Sequence, residues 1–563
     1  MGLQSHTKLS LGLIQVNDIL GSMKTTLNIG KPLLGLGLGI LVLASTLWMT
    51  GCSSEPSALE NKTLRLAVST EPPTLDWSLA TDGVSFNVLT NIMEGLTQYN
   101  ERLEPIPAIA KRWEFSESGR VITFYLRDDV KWTDGQPVTA RQFEYAWKRL
   151  LNPETASQYA YFLFDVENAA EYNAGKIRDA DQVGVKALSP TVLQVRLKRP
   201  VIYFPSLTTF MVTFPQRRDV IEKHGDHWTD PEHIVTNGPF TLDQWDHEYK
   251  LILKSNPNYY DAQPALDRII MYVVRNPSTE LTLYETGELD MAELPPVAIP
   301  HYKIHAEYKN LPLLRGYYYG FNVTKPPFND ARVRRALSHA INRTQIPVIL
   351  NGGQLPTSSW IPKGMFGYNS NIGPAFDPEK ARTLLAEAGY KGKKKFPSFS
   401  IAYNTDPTHR LIAQFVQAQW KEHLGLEVDL EDQEWKVYLK KLDVDPPPVF
   451  RLGWGADFPD PDNFMNLFIS TSGNNRLRWS NERYDRLIAQ GAAEQDLEAR
   501  QAIYDEAQTL LTETDSAIIS LFVAAQNVLV KPYVQNIGLN AMEWLYLKRV
   551  CLTGNQSSPI ETQ

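Results

Sequence analysis

Four histidines that lie close together in the sequence could bind a metal ion. His224, His227 and His233 fall within ten residues, and His247 follows a short distance later. Imidazole nitrogens are frequent ligands of zinc and copper. The stretch that holds them is rich in Asp, Trp and Pro, a composition typical of an exposed loop. We therefore favour surface histidines and no metal, and the metal site stays open as the alternative.

Short catalytic motifs are missing from the sequence. It contains no Gly-x-Ser-x-Gly motif, no His-Glu-x-x-His helix and no phosphate-binding loop that ends in Gly-Lys-Ser or Gly-Lys-Thr. The acidic pairs Asp128-Asp129 and Glu431-Asp432 are adjacent in sequence, and neighbours on a strand face opposite sides. A protein that is not an enzyme and needs no cofactor is favoured. A peptidase or amidase stays the alternative, because catalytic groups can come together only in the folded chain.

The elements that must position functional groups alternate between strand and helix patterns. Residues 121–126 are rich in β-branched and aromatic side chains, which predicts a strand. Thr139 precedes apolar residues at helical spacing, which predicts that it caps a helix. Another helix is predicted at 411–424, where Gly425 would end it before an alternating strand at 426–430. This mixture predicts an α/β fold with mixed sheets.

The composition is that of a soluble globular protein of several domains. The 563 residues are 43% apolar and 21% charged, and the net charge of −8 argues against binding to nucleic acid. Two cysteines, Cys52 and Cys551, are too few for a Cys-rich zinc site or a disulfide framework. The 25 Tyr, 22 Phe and 13 Trp residues suit both a large core and a cleft lined with rings.

The N-terminal segment has the pattern of an export signal. Two lysines precede an uncharged stretch at 32–48, and small residues follow it. This predicts a signal at residues 1–51, for which Met23 is a plausible start. The residues just before Cys52 resemble the end of a bacterial lipoprotein signal, which implies that Cys52 is lipidated. The alternative is an ordinary cleaved signal with an incidental cysteine.

A series of short motifs along the chain, from about residue 64 to 545, resembles one protein family. Each motif is weak alone, but their order and spacing together are specific. The motifs are Met93-Glu94-Gly95-Leu96, Leu103-Glu104-Pro105, Phe124-Tyr125-Leu126-Arg127, Lys131-Trp132-Thr133-Asp134-Gly135, Thr236-Asn237-Gly238-Pro239-Phe240, Lys325-Pro326-Pro327-Phe328, Ala386-Glu387-Ala388-Gly389-Tyr390, Gln433-Glu434-Trp435-Lys436 and Gly453-Trp454-Gly455-Ala456-Asp457.

These motifs resemble the oligopeptide-binding family of ABC-transporter solute-binding proteins. The resemblance implies a two-lobed fold like that of periplasmic binding proteins, with three domains, mixed sheets and a ligand cleft between the lobes. The domains that it implies are domain I from 52–93, 219–314 and 524–563, domain II as an insertion at 94–218, and domain III at 315–523.

The resemblance also implies how a peptide would be held at its amine end. Asp457 corresponds to the acidic residue that pairs with the α-amine of the peptide. Other positions correspond to segments that run along the peptide backbone, where glycine lets two chains approach closely. These positions are Gly453, Gly455, Asp82, Gly83 and Val84.

Aromatic and cationic residues complete the implied site. Trp435, Trp454, Tyr159 and Tyr318 correspond to aromatic pocket positions. Core packing is the plain alternative for Trp435 and Trp454. The family positions that serve the peptide carboxylate are Arg451, His409 and Lys325. Each of these three also has a plain structural interpretation, at a strand edge, in a surface loop or in a solvated turn. Some relatives have a disulfide at the positions that here are Arg315 and Gly455.

The implied function is that of a receptor on the cell membrane. It would be exported, held by lipid on Cys52 facing the periplasm or the exterior, and would act as a monomer. It would capture short peptides in a closing cleft and deliver them to the permease subunits of an ABC transporter. The alternatives are a dipeptide, a cell-wall or signalling peptide, a metal or haem complex, the enzyme already mentioned, or a chaperone that holds unfolded chains.

Overall fold

The computed structural model describes residues 62–391 and 396–553. The predicted signal and Cys52 lie outside these residues. The described part mixes helices and strands, which confirms the predicted α/β class. The strands are β1 Thr63–Val68, β2 Thr97–Tyr99, β3 Pro105–Pro107, β4 Ala110–Ser116, β5 Val121–Leu126, β6 Val185–Ser189, β7 Val192–Arg196, β8 Phe240–Asp246, β9 Lys250–Ser255, β10 Arg268–Val273, β11 Met291–Glu293, β12 Tyr308–Phe321, β13 Leu355–Pro356, β14 Phe399–Asn404, β15 Val428–Gln433, β16 Val449–Gly455, β17 Ile518–Val530, β18 Val534–Gln535 and β19 Cys551–Leu552.

Helices connect and cover these strands. Thr139 caps its predicted helix, and Gly425 ends another in the left-handed conformation, as predicted. No helix within 62–391 and 396–553 is long and apolar enough to span a bilayer. The α-helices are α1 Gly83–Ile92, α2 Ala140–Leu151, α3 Ala169–Asn173, α4 Phe204–Leu207, α5 Arg218–His224, α6 Pro277–Glu285, α7 Ile299–Tyr302, α8 Ala331–His339, α9 Ile346–Leu350, α10 Pro378–Glu387, α11 Pro407–Leu424, α12 Trp435–Val444, α13 Pro461–Met465, α14 Glu482–Ala493 and α15 Leu497–Thr509.

Three larger sheets organise the described residues. The first has the order β1-β10-β9-β8, and only its β1 and β10 are parallel. The second is antiparallel, in the order β4-β5-β7-β6. The third has the order β11-β17-β12-β16-β14-β15, with β13 beside β17. Apolar side chains on the inner faces of the strands, such as Leu64 and Leu66 of β1, are buried in the core.

Strands β12 and β17 form a long antiparallel pair in the third sheet. Their pairing is interrupted between Pro312 and Gly316. Within the interruption, the N–H of Leu314 donates to the carbonyl of Ala541 at 2.7 Å, and the N–H of Ala456 donates to the carbonyl of Leu314 at 2.8 Å. The interruption therefore ties the third sheet to the C-terminal segment.

Two of the predicted domain limits fall inside these long strands. The limit at 314/315 lies within β12, and the limit at 523/524 lies within β17. Both strands therefore continue from predicted domain I into predicted domain III without a loop. The second sheet lies wholly within the predicted insertion at 94–218. The division into three domains stays a prediction.

Candidate ligand-binding site

The third sheet forms one wall of a cavity of about 390 Å³. Ligand pockets usually have volumes of about 300–1,000 Å³, so this cavity can hold a small ligand. Strands β12, β16 and β17 supply much of the lining, and the first turns of α11 and α12 add to it. The predicted binding residues that line it are His409, Trp435, Arg451, Gly453, Trp454 and Gly455.

Arg451 brings a positive charge to this cavity. Its guanidinium carbon lies 4.5 Å from the centre of the Tyr317 ring. One of its nitrogens, Nη1, donates to Oδ1 of Asn404 at 3.2 Å, whereas its Nε is buried and has no hydrogen-bond partner among the described residues. A guanidinium with an unused donor is suited to an anionic group of a ligand.

His409 also lines the cavity but is neutral at pH 7. It lies in the first turn of α11, and its buried Nδ1 is 3.6 Å from Oδ1 of Asp406, too far for a hydrogen bond. Burial, with a smaller contribution from the charge of Arg451, lowers the pKa of His409 to about 4. The resemblance implied a positive charge here, so His409 would have to take up a proton when an anion binds.

Trp435 and the open edge of β16 shape the same cavity. Trp435 begins α12 and is 45% exposed, so its ring is available to a ligand. Strand β14 pairs with β16 only at Val449 and Phe450, and no other described strand pairs with that edge as far as Gly455. An open strand edge can form main-chain hydrogen bonds with an extended peptide.

Gly453 allows β12 and β16 to approach each other closely beside this edge. A Cβ atom at this position would lie 2.8 Å from the carbonyl oxygen of Gly316, which is too close for any other residue without a shift of the backbone. Gly455 lies directly opposite Arg315 in the register of the two strands. The two predicted glycines therefore lie where main chain borders the cavity.

A second cavity, of about 250 Å³, adjoins the first at Trp454, which lines both. The Trp454 ring is fixed by its Nε1, which donates to Oδ1 of Asn463 at 3.0 Å. The other residues that line the second cavity include Tyr161, Phe162, Asp165, Tyr203, Leu207, Phe458, Asp462 and Leu467.

Asp457 is half-buried next to the second cavity. Its Oδ2 accepts a hydrogen bond from the Tyr161 hydroxyl at 3.1 Å, and its main-chain N–H donates to Oδ1 of Asn463 at 3.0 Å. Burial raises the pKa of Asp457 to about 6, and no basic residue of the described part of the chain opposes that shift. Above pH 6 the site therefore holds a carboxylate without a cation.

Tyr159 belongs to the same group of side chains. Its ring stacks on Tyr161 with centroids 5.7 Å apart, and it packs edge-on against Phe86 of α1 at 5.8 Å. Burial and the neighbouring Asp457 carboxylate raise the pKa of the Tyr159 hydroxyl, which stays protonated at neutral pH. It can therefore donate a hydrogen bond to the Asp457 carboxylate at the predicted amine site.

The predicted backbone-binding segment at 82–84 forms the start of α1. The Asp82 carboxylate accepts hydrogen bonds from the N–H groups of Val84 at 3.1 Å and Ser85 at 2.9 Å. Asp82 thus acts as a helix cap, and Gly83 opens the first turn. None of Asp82, Gly83 and Val84 lines either cavity.

Two further predicted residues also lie away from both cavities. Tyr318 is 4% exposed and packs against Trp360, because its side chain points to the face of β12 opposite to that of Tyr317. Lys325 forms an ion pair with Asp445, with Nζ and Oδ1 2.6 Å apart. Tyr318 thus packs in the core, and the charge of Lys325 is already compensated.

Sequence reasoning missed Tyr161, Asp462 and Asn463, which all border Asp457 or the second cavity. A signal for the last two was present, because they follow Asp457 in a polar run just before the apolar residues of α13. For Tyr161 the only signal was its spacing of two from Tyr159, which does not distinguish a site residue from a core residue.

The four histidines do not assemble around a common point. The rings of His224 and His233 stack with centroids 3.9 Å apart, whereas His227 pairs with Asp230 and His247 with Glu71. Across 62–391 and 396–553, no three His, Cys, Asp or Glu side chains are placed to hold a metal ion.

Comparison with known proteins identifies the family. A model of the family described as "Bacterial extracellular solute-binding proteins, family 5 Middle" matches residues 104–476. The chain belongs to family 5 of the bacterial solute-binding proteins. The matched region includes residues that line the two cavities, from Tyr161 to Asn463. The resemblance inferred from the motifs is thereby confirmed.

Members of family 5 with different named ligands are similar to this chain. The oligopeptide-binding protein OppA of Bacillus subtilis is 36% identical over 467 residues, which is 80% of this chain and 86% of OppA. The probable deoxycholate-binding periplasmic protein YgiS of Escherichia coli is 32% identical over 530 residues, which is 92% of this chain and 98% of YgiS.

Solved structures of family 5 share the fold. The unliganded open form of MppA, a periplasmic murein tripeptide-binding protein, has a TM-score of 0.77 at 32% identity and covers 88% of this chain and 98% of its own. Haemophilus influenzae OppA in complex with the peptide RPPGFSPFR has a TM-score of 0.72 at 32% identity and covers 88% and 99%. The predicted periplasmic-binding-protein fold is therefore confirmed.

Proposed function

We propose that this protein captures short peptides in its two adjoining cavities and delivers them to the permease of an ABC transporter. The observation that carries the proposal is the separation of charge about Trp454. Asp457, beside the second cavity, lacks a cation, and Arg451 in the first cavity has an unused donor. A peptide carries an amine at one end and a carboxylate at the other, and would supply both missing partners.

The open edge of β16 supports binding of many peptide sequences. Main-chain hydrogen bonds to Gly453 and Gly455 would be independent of the side chains of the ligand. The exposed ring of Trp435 adds apolar contact with few rotamers to lose. A receptor built in this way binds the termini and the backbone of a peptide, and it tolerates variation in the side chains.

Closure of the site would join two of the predicted domains. Phe458 packs edge-on against Phe162 at 5.8 Å and stacks on Tyr203 at 5.2 Å between ring centroids. Phe162 and Tyr203 belong to predicted domain II, and Phe458 belongs to predicted domain III. We infer that a hinge movement along β12 and β17 opens this contact and admits the peptide.

The membrane anchor is also part of the proposal. Lipid on Cys52 would hold the receptor close to its permease, and several acyl chains on one residue would anchor it stably. A Cys52→Ser variant is expected to leave the membrane fraction and appear in the soluble exported fraction. Retention of that variant with membranes would contradict anchoring through Cys52 and leave peptide binding untouched.

Mass spectrometry of bound ligand tests peptide capture. Purified protein is unfolded and refolded to remove ligand, incubated with a pool of synthetic peptides, separated from free peptides and then denatured. We expect short peptides with intact termini in the bound fraction. New peptide termini would identify a peptidase or amidase, and an empty bound fraction would contradict peptide capture.

A further inference from the structure

We propose that Asp462 binds a basic side chain on the first residue of the peptide, inside the second cavity. This inference rests on the proposed function and names the class of peptide that the site prefers. Asp457 would hold the α-amine, and Asp462 would hold a second cation close to it.

Asp462 lies in the wall of the second cavity and has an unused hydrogen-bond acceptor. The residue is 3% exposed and lines the cavity wall. Its Oδ2 accepts a hydrogen bond from the Tyr203 hydroxyl at 2.8 Å. Its Oδ1 is buried and has no hydrogen-bond partner in the described part of the chain. A buried carboxylate oxygen without a partner is costly, so a cationic ligand group would stabilise it.

Asp460 and Asp165, the acids whose charges act on Asp462, already have cations of their own. Oδ1 of Asp460 lies 2.8 Å from Nη2 of Arg500. Both carboxylate oxygens of Asp165 accept from Arg199, at 2.7 and 2.8 Å. The two arginines of this region are therefore committed to Asp460 and Asp165, and Asp462 has neither as an ion-pair partner.

The electrostatic surroundings of Asp462 raise its pKa, as expected for a buried carboxylate that has no cation as its partner. Burial raises the pKa of Asp462 to about 7, and the nearby negative charges act in the same direction, whereas Arg199 opposes them. A bound ammonium or guanidinium would restore the ionised form. The titratable and charged groups that interact with Asp462 are Arg199, Asp165, Asp460, Tyr203, Tyr484, Tyr504 and Arg500.

The position of the second cavity assigns it to the first residue of the peptide. Tyr161 and Asn463 line the cavity and also hydrogen-bond to Asp457, so the amine anchor and the cavity share a wall. At about 250 Å³ the cavity is smaller than usual ligand pockets, and so suits one side chain. Leu207 and Leu467 add apolar wall, against which the methylene stem of Lys or Arg can pack.

Calorimetric titration with matched tripeptides tests this inference. Lys-Ala-Ala and norleucine-Ala-Ala have similar stems and differ in the charge at the end of the first side chain. We expect the protein to bind Lys-Ala-Ala at least tenfold more tightly than norleucine-Ala-Ala. Ala-Lys-Ala should gain little over trialanine, because its ammonium would lie outside the second cavity.

Two variants assign the preference to the carboxylate. In Asp462→Asn, which keeps the shape of the side chain, the ratio of the two affinities should fall close to one. In Tyr203→Phe, which keeps the carboxylate, the preference for Lys-Ala-Ala should remain. Thermal unfolding of each variant confirms that it is folded.

The outcomes distinguish this inference from the proposed function. Equal affinities of the wild type for Lys-Ala-Ala and norleucine-Ala-Ala would overturn the inference alone, even if Asp462→Asn did not fold. An unchanged ratio in folded Asp462→Asn would overturn it as well. Failure of the wild type to bind any of the tripeptides would instead contradict the proposed function.

Discussion

The two cavities that meet at Trp454 differ in the charge that each leaves uncompensated. On one side, burial raises the pKa values of Asp457 and Asp462, because no cation pairs with either among the described residues. On the other side, burial and Arg451 lower the pKa of His409. Each side therefore lacks the charge that one end of a peptide would supply. The free protein bears a desolvation cost at both sides, and we expect a bound peptide to relieve it.

Loss of the negative charge at Asp457 should have the largest effect. We expect Asp457→Asn to weaken trialanine binding by at least a hundredfold, about 3 kcal/mol, because the α-amine loses a buried ionic partner. Calorimetric titration measures this change. Asp445→Asn, which removes an exposed acid paired with Lys325, is the control and should bind trialanine as the wild type does.

If Asp457→Asn retained its affinity for peptides, the negative charge beside the second cavity would not be needed for binding, and the contrast between the two cavities would lose its meaning. A ligand without an amine would then be favoured, as in the relative that is named a probable deoxycholate-binding protein.

Acidification should weaken binding on the acidic side. The pKa of Asp457 is about 6, so the carboxylate that holds the amine is lost as the pH falls through 6. Half of the Asp457 side chains are ionised at pH 6, so trialanine affinity should fall about tenfold between pH 6 and about pH 4.7. Titrations in this range measure the change, and affinity that is independent of pH would contradict it.

The stability of the unliganded protein should respond to pH in the opposite direction. The folded pKa of Asp457 is raised, so its protonation stabilises the fold, and this contribution is lost as the pH rises through 6. The difference in melting temperature between the wild type and Asp457→Asn isolates this contribution. The melting temperature of the wild type, relative to that of Asp457→Asn, should decrease as the pH rises from 5 to 7.

Removal of the positive charge in the first cavity should have a smaller effect. We expect Arg451→Met to weaken binding of peptides with a free carboxylate by roughly tenfold, because partly exposed charge pairs contribute about 1–2 kcal/mol. The same peptides with an amidated C-terminus should bind the variant and the wild type alike. A length series from three to five residues shows which length places its carboxylate at Arg451.

A disulfide between β12 and β16 should have the smallest effect, a change in stability that tests the register of the two strands. Arg315 and Gly455 lie opposite each other in the register of the two strands. The double variant Arg315→Cys, Gly455→Cys should form this bond and raise the free energy of unfolding by about 2 kcal/mol. Intact-mass analysis with and without reductant measures the bond. Oxidised protein in which Cys551 and both introduced cysteines are all free thiols would contradict the register.

The sequence allowed good prediction where one local signal decided the outcome. The cap at Thr139 and the helix end at Gly425 were confirmed, because both depend on neighbouring residues alone. The family motif ending at Asp457 likewise predicted the stretch that borders both cavities.

Long-range relationships decided what the sequence could not predict. Tyr318 and Tyr317 face opposite sides of β12, and only the folded structure shows which of the two lines the cavity. Lys325 forms an ion pair with Asp445, which is distant in the sequence. Tyr161 forms a hydrogen bond with Asp457, which is 296 residues away in the sequence. These contacts depend on the packing of whole elements.

A crystal structure of the protein with a bound tripeptide tests the central claim most directly. We predict that the α-amine lies within hydrogen-bond distance of the Asp457 carboxylate and that the peptide backbone runs along β16 beside Gly453. A peptide bound with its amine remote from Asp457, or outside the two cavities, would contradict this account.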